Sequence, residues 1–240
     1  MGTATAVRLV LCLLLAAPGA ASARGYAGIE AGVSRGDFGG PTRETLYAVT
    51  ARLGRWTPDY GIEVALPYLE LAREGPGIDR RDGGMGDVVV RGERRLRDGK
   101  GDSASVYGSL ALKLPTADAD RGLGTGEADV GAFVTVVRPI AGLKLIAHVG
   151  YVVNGDSGTQ DYRDVPYYGI GLSSLGAHGA VYTALSGRGA SVNGADDPLE
   201  LSAGGWRRLG GDRAFTVTGF VGLNDGGPDF GATVGVVQWF

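Results

Sequence analysis

The feature that most constrains this chain is a two-residue hydrophobic period, repeated in stretches of roughly ten residues. The clearest stretch is 141–153, where Leu143, Leu145, Ala147, Val149, Tyr151 and Val153 oppose Lys144, His148 and Gly150. In 103–114, Val106, Leu110, Leu112 and Leu114 oppose Ser105, Tyr107, Ser109 and Lys113. In 229–240, Phe230, Ala232, Val234, Val236 and Phe240 share a face, with Gly231, Thr233, Gly235 and Val237 on the other. Such alternation marks a strand with one apolar face. Twelve segments read this way, near 25–35, 43–54, 60–71, 85–96, 103–114, 127–138, 141–153, 165–174, 178–188, 198–208, 213–223 and 229–240.

These segments are long for a water-soluble sheet. A tilted strand crossing lipid needs about 9–11 residues, against a mode of about 5–6 in soluble sheets. Backbone groups in lipid must all be paired, so a lipid-crossing sheet has to close. The connections agree. Short turns at Arg55–Asp59, Pro139-Ile140, Ser174–Ala177 and Leu209–Asp212 alternate with longer loops at Ala72–Gly84, Pro115–Gly126, Asn154–Asp164 and Gly189–Asp197. Outer-membrane barrels alternate periplasmic turns and extracellular loops in this manner, while a secreted β-sandwich predicts no such rhythm. The connection Asn224–Pro228 is shorter than the rhythm suggests. The expected fold is all-β: a transmembrane antiparallel β-barrel of about 12 strands over residues 24–240.

Residues 1–23 have the pattern of a cleaved signal peptide. Arg8 precedes the aliphatic run Leu9–Ala17, Pro18-Gly19 breaks it, and Ala21-Ser22-Ala23 offers a cleavage pattern. Leu11 is too large for a lipoprotein signal at Cys12, and the mature chain would hold no cysteine. A strand ending in Phe240 resembles the β-signal read by the barrel-assembly machinery. The expected partners are therefore that machinery and outer-membrane lipid, after Sec export in a Gram-negative cell. Glycine supplies 44 of 240 residues, without the G-x-y period of collagen. With 22 basic and 26 acidic residues after position 23, no basic patch invites nucleic acid.

An outward-facing Arg or Lys at the bilayer midplane costs about 2–4 kcal/mol, so charges within the strands should point inward. The candidate lumen lining is Glu63, Arg91, Glu93, Arg95, Lys113, Lys144, His148 and Glu200. These side chains either filter permeants or pair with one another and fill a narrow barrel. Their mixed signs argue against a simple anion or cation pore. Loop 115–126 carries Asp118, Asp120 and Arg121 and is a candidate constriction. Calcium is a weaker reading of its carboxylates, because the spacing is not that of an EF-hand; a turn built on Asp and Gly accounts for it. Neither histidine, His148 or His178, lies in a nucleophile motif, and no G-x-S-x-G occurs. No catalytic, metal or cofactor residues are expected.

Three stretches go beyond a generic barrel. They are Gly84-Met85-Gly86-Asp87; Leu112-Lys113-Leu114-Pro115-Thr116 followed by Asp118, Asp120 and Gly122–Gly126; and the later pair Gly194–Leu201 and Asn224–Phe230. The middle one is similar to a KLPTGDADKGLGSG signature. Together, from about residue 43 onward, they resemble the MetA-pathway phenol-degradation family of outer-membrane barrels. The resemblance implies a channel for passive diffusion of small, often hydrophobic or aromatic, compounds. The alternatives are a closed structural or adhesion barrel with a plugged lumen, and a lipid-acting outer-membrane enzyme.

Overall fold

The computed structural model describes residues 24–156 and 162–240. The signal-peptide reading of 1–23 and part of the loop expected at Asn154–Asp164 lie outside these residues. The strands are β1 (Arg24–Gly36), β2 (Arg43–Trp56), β3 (Tyr60–Gly75), β4 (Ile78–Met85), β5 (Val88–Arg97), β6 (Ser105–Leu114) and β7 (Asp129–Ile140). They continue with β8 (Leu143–Val153), β9 (Val165–Gly176), β10 (Gly179–Arg188), β11 (Leu199–Gly210), β12 (Arg213–Gly222) and β13 (Phe230–Trp239). Neighbours pair antiparallel around the sheet, and β1 pairs both β2 and β13, so twelve strands close into a barrel and β4 is the one extra. At the seam, the N–H groups of Gly25 and Phe240 donate to each other's carbonyls at 3.0 and 2.9 Å.

β4 corrects the sequence reading of Ala72–Gly84 as a loop. This stretch forms a hairpin with the end of β3, turning at Gly77 with φ 74°. Its charges, Arg73 to Asp82, break the apolar alternation because this hairpin stands beyond the apolar band. β4 and β5 both pair with β3, and the break between them faces Pro67. Gly86 donates its N–H to the Pro67 carbonyl at 2.8 Å, but proline has no N–H to return.

The outer face is apolar, with Ile29, Leu53, Ile62, Leu110, Val149, Val181, Val217 and Val234 exposed. Exposed aromatics flank this band: Tyr47, Tyr68, Tyr151, Tyr168 and Phe230 toward the long loops, Tyr60 and Phe215 toward the short turns. Two such girdles are the mark of a membrane barrel. Trp56 and Trp206, which also fall near strand ends in the sequence, belong instead to the interior. Trp206 is 6% exposed and packs with Ala180, Tyr182, Ala184 and Ala214.

Part of the glycine excess is explained by cross-strand pairs. Tyr26, Trp56, Phe133, His148 and Phe220 lie directly opposite Gly54, Gly61, Gly150, Gly169 and Gly231. In each pair the ring covers the glycine. A Cβ on Gly61 would fall 1.9 Å from the Trp56 ring, and one on Gly150 would fall 2.1 Å from that of Phe133. The rings can lie flat on the wall only where the partner has no side chain.

Candidate functional site

The eight sequence-picked residues all fall on the inward, alternate positions of their strands. Most of the charge sits on one side. On β1–β3, Glu63 accepts from the Tyr26 hydroxyl and from Arg52 at 2.9 Å, and Arg52 lies 3.9 Å from Glu30. Arg91 stands directly opposite Glu63 in the β3–β5 ladder. Glu93 accepts from the Ser109 hydroxyl at 3.1 Å. Arg95, nearer the short turns, binds Asp59 at 2.6 Å and Asp98 at 3.1 Å. Lys113, near the long loops, binds Asp129 at 2.7 Å and lies 3.6 Å from Asp87. Burial in a low-dielectric wall makes an unpaired charge costly, and these partners offset that cost.

The opposite arc, β9–β13, is different. At mid-height its inner face carries Gly169, Gly171, Ala184, Ser202, Gly204, Thr216, Thr218 and Thr233, without a charge. Tyr182 and Thr218 hydroxyls meet there at 2.9 Å. Glu200 lies on this side but close to the long-loop end of β11, opposite Ser186. His148 is buried over Gly169, and neither its ring nor that of His178 hydrogen-bonds a serine hydroxyl among the described residues. Tyr26, Glu30 and Arg52 escaped the sequence reading, although Glu30 and Arg52 occupy inward positions between outward Ile29, Ala31, Ala51 and Leu53.

The loop between β6 and β7 bends into the barrel. Leu123 is 1% exposed and packs on inward Leu69 and Leu71 of β3, with Leu46, Ala48 and Ala117 beside them. Asp118, Asp120 and Arg121 remain exposed at the mouth, where Arg121 donates to the Gly83 carbonyl at 3.2 Å. Leu123, the residue that enters, is an isolated leucine among glycines and aspartates. Its burial is the reason for that placement. Among the described residues no three His, Asp or Glu side chains converge as a metal site requires.

The base of this loop repairs the strand break. The Thr116 hydroxyl donates to the Gly86 carbonyl at 3.0 Å, standing in for the N–H that Pro67 lacks. It also accepts the Val88 N–H at 2.9 Å. Asp87 accepts the Ala117 N–H at 3.0 Å. Two stretches set apart in the sequence, Gly84–Asp87 and Leu112–Gly126, are thus one structural unit.

At the other end, the turn Thr57–Asp59 faces β5–β9 across a cavity of about 130 Å³. Trp56, Tyr107, Lys144, Ile146 and Ser173 are on its wall.

The fold is that of outer-membrane barrels. The translocator domain of the autotransporter NalP from Neisseria meningitidis superposes with a TM-score of 0.57 at 13% identity, covering 93% of this chain and 90% of that one. The NanC porin superposes at 0.52 and 11%, covering 88% and 98%. The CymD monoaromatic hydrocarbon channel superposes at 0.50 and 8%, covering 90% and 88%. No curated protein matches the sequence. The family model described as "Putative MetA-pathway of phenol degradation" matches residues 31–238, which takes in the β4–β5 break, the inward loop and the closing strand, and the chain belongs to that family.

Proposed function

We propose that this protein is a channel in the outer membrane of a Gram-negative bacterium, passing small molecules by passive diffusion, hydrophobic and aromatic compounds among them. It is exported on residues 1–23 and inserted by the machinery that reads the strand ending at Phe240. The observation that carries this reading is the two-sided interior: a charged arc of paired residues faces an arc of hydroxyls, glycines and alanines. A small amphipathic solute would find polar partners along one wall and low steric resistance along the other. Selection would come from the width left by Leu123 and from weak contact with the lining. No step requires covalent chemistry.

A plugged barrel is the second reading, and the burial of Leu123 favours it. Solute-driven swelling of liposomes containing the refolded protein separates the two. Swelling rates that fall with solute size support a channel; rates equal to protein-free liposomes for every solute support the plug.

A further inference from the structure

The cavity at the short-turn mouth contains an unused pair of donors. Lys144 on β8 and Ser173 on β9 are direct cross-strand partners, and both lie on the cavity wall. Directly opposed side chains start about 5 Å apart, so both can serve one small group. Ser173 is 2% exposed, and its hydroxyl, which has no hydrogen-bond partner, is closed off from the cavity as it stands and must rotate about χ1 to meet a bound group. A buried hydroxyl left unpaired is uncommon and calls for an explanation.

The charges around it are unequal in their freedom. Arg95 is held by Asp59 and Asp98, and Glu93 takes the Ser109 hydroxyl. Lys144 and Glu93 both lack an oppositely charged partner within 4.0 Å among the described residues, but Glu93 is an acceptor already engaged by Ser109, so the free donor on this wall is the Lys144 ammonium. Trp56, Tyr107, Val137 and Ile146 make the rest of the surface largely aromatic and aliphatic. At about 130 Å³ the space is close to the roughly 150 Å³ apolar cavity that accepts benzene.

We propose that this pocket is a binding subsite for a small ring-bearing monocarboxylate. The carboxylate sits on the Lys144 ammonium with the Ser173 hydroxyl beneath it, and the ring lies between Trp56 and Ile146. This rests on reading the barrel as a passage, and it places a specific stop at the periplasmic mouth. Charge-assisted hydrogen bonds supply the preference for an anion.

The test is calorimetric titration of the refolded full barrel in detergent with benzoate, benzyl alcohol and acetate. Benzoate should bind saturably and at least tenfold more tightly than either of the others. Lys144→Gln should remove that advantage, and Lys144→Arg should keep most of it, with both variants retaining heat-modifiable gel mobility. Equal affinity for benzoate and benzyl alcohol, unchanged binding in Lys144→Gln, or no saturable binding of benzoate would each overturn the proposal. The titration is independent of conductance. A barrel that binds benzoate but passes no ions keeps the subsite and loses the channel; a conducting barrel blind to benzoate does the reverse.

Discussion

The carboxylate of Asp87 accepts the backbone N–H of Ala117 at 3.0 Å, across 30 residues of sequence. This bond holds the break between β4 and β5 against the base of the inward loop. Asp87 is 4% exposed and also lies 3.6 Å from Lys113. Asp87→Ala should therefore lower stability by about 1–3 kcal/mol, since Lys113 keeps Asp129. Asp87→Asn, which still accepts the N–H, should lose less. Urea unfolding followed by gel mobility reads both, and equal midpoints for Asp87→Ala and wild type would refute the role.

Glu63 is the hub of the charged arc. Its removal in Glu63→Ala leaves the Tyr26 hydroxyl and Arg52 without their shared acceptor, with Glu30 3.9 Å from Arg52. The expected loss is about 3 kcal/mol, the lower range for breaking one partner of a buried pair. A double Glu63→Gln, Arg52→Gln variant should recover part of it, because the Arg52 charge is then removed together with its nearest carboxylate. Thermal melting of the three proteins checks the order.

The aromatic–glycine pairs predict a position-specific cost. Gly150→Val would put side-chain atoms inside the Phe133 ring, whereas Gly92, where a Cβ meets nothing within 4 Å, should accept Ala freely. Overpacking of this kind costs about 1–3 kcal/mol. Combining Gly150→Val with Phe133→Ala should be less damaging than the sum of the two. Additive losses in a double-mutant cycle would mean the ring and the glycine are not coupled.

Facing also has a direct test. Val149→Arg places a charge on the apolar band and should cost about 2–4 kcal/mol in lipid, whereas Ser202→Arg, on the inner wall, should cost much less in insertion. Refolding yield into phosphatidylcholine vesicles measures both, and a reversed order would turn the barrel inside out.

Alternation located every barrel strand to within a few residues, because one face is apolar all the way round. It failed where that condition ends. The hairpin from Arg73 to Asp82 is charged on both faces, so nothing in its pattern separates a strand from a loop. The inward side of Glu63, Arg91 and Lys113 was legible for the same reason that their partners were not. A period of two tells the face but not the register, and register brings Arg52 to Glu63 and Thr116 to Gly86. Trp56 and Trp206 fall near strand ends, where girdle residues lie, yet their place is set by Gly61 and by the small residues around Ala180. The entry of Leu123 depends on Leu69 and Leu71, some fifty residues earlier, and no local signal announces it beyond a lone leucine in a polar loop.

Single-channel recording in a planar bilayer tests the central claim most directly, with wild type and Leu123→Gly side by side. A channel constricted by this loop predicts discrete ohmic steps from wild type and larger steps from Leu123→Gly. Silence from both proteins, each shown to be folded by heat-modifiable mobility, would contradict the account and leave a closed barrel.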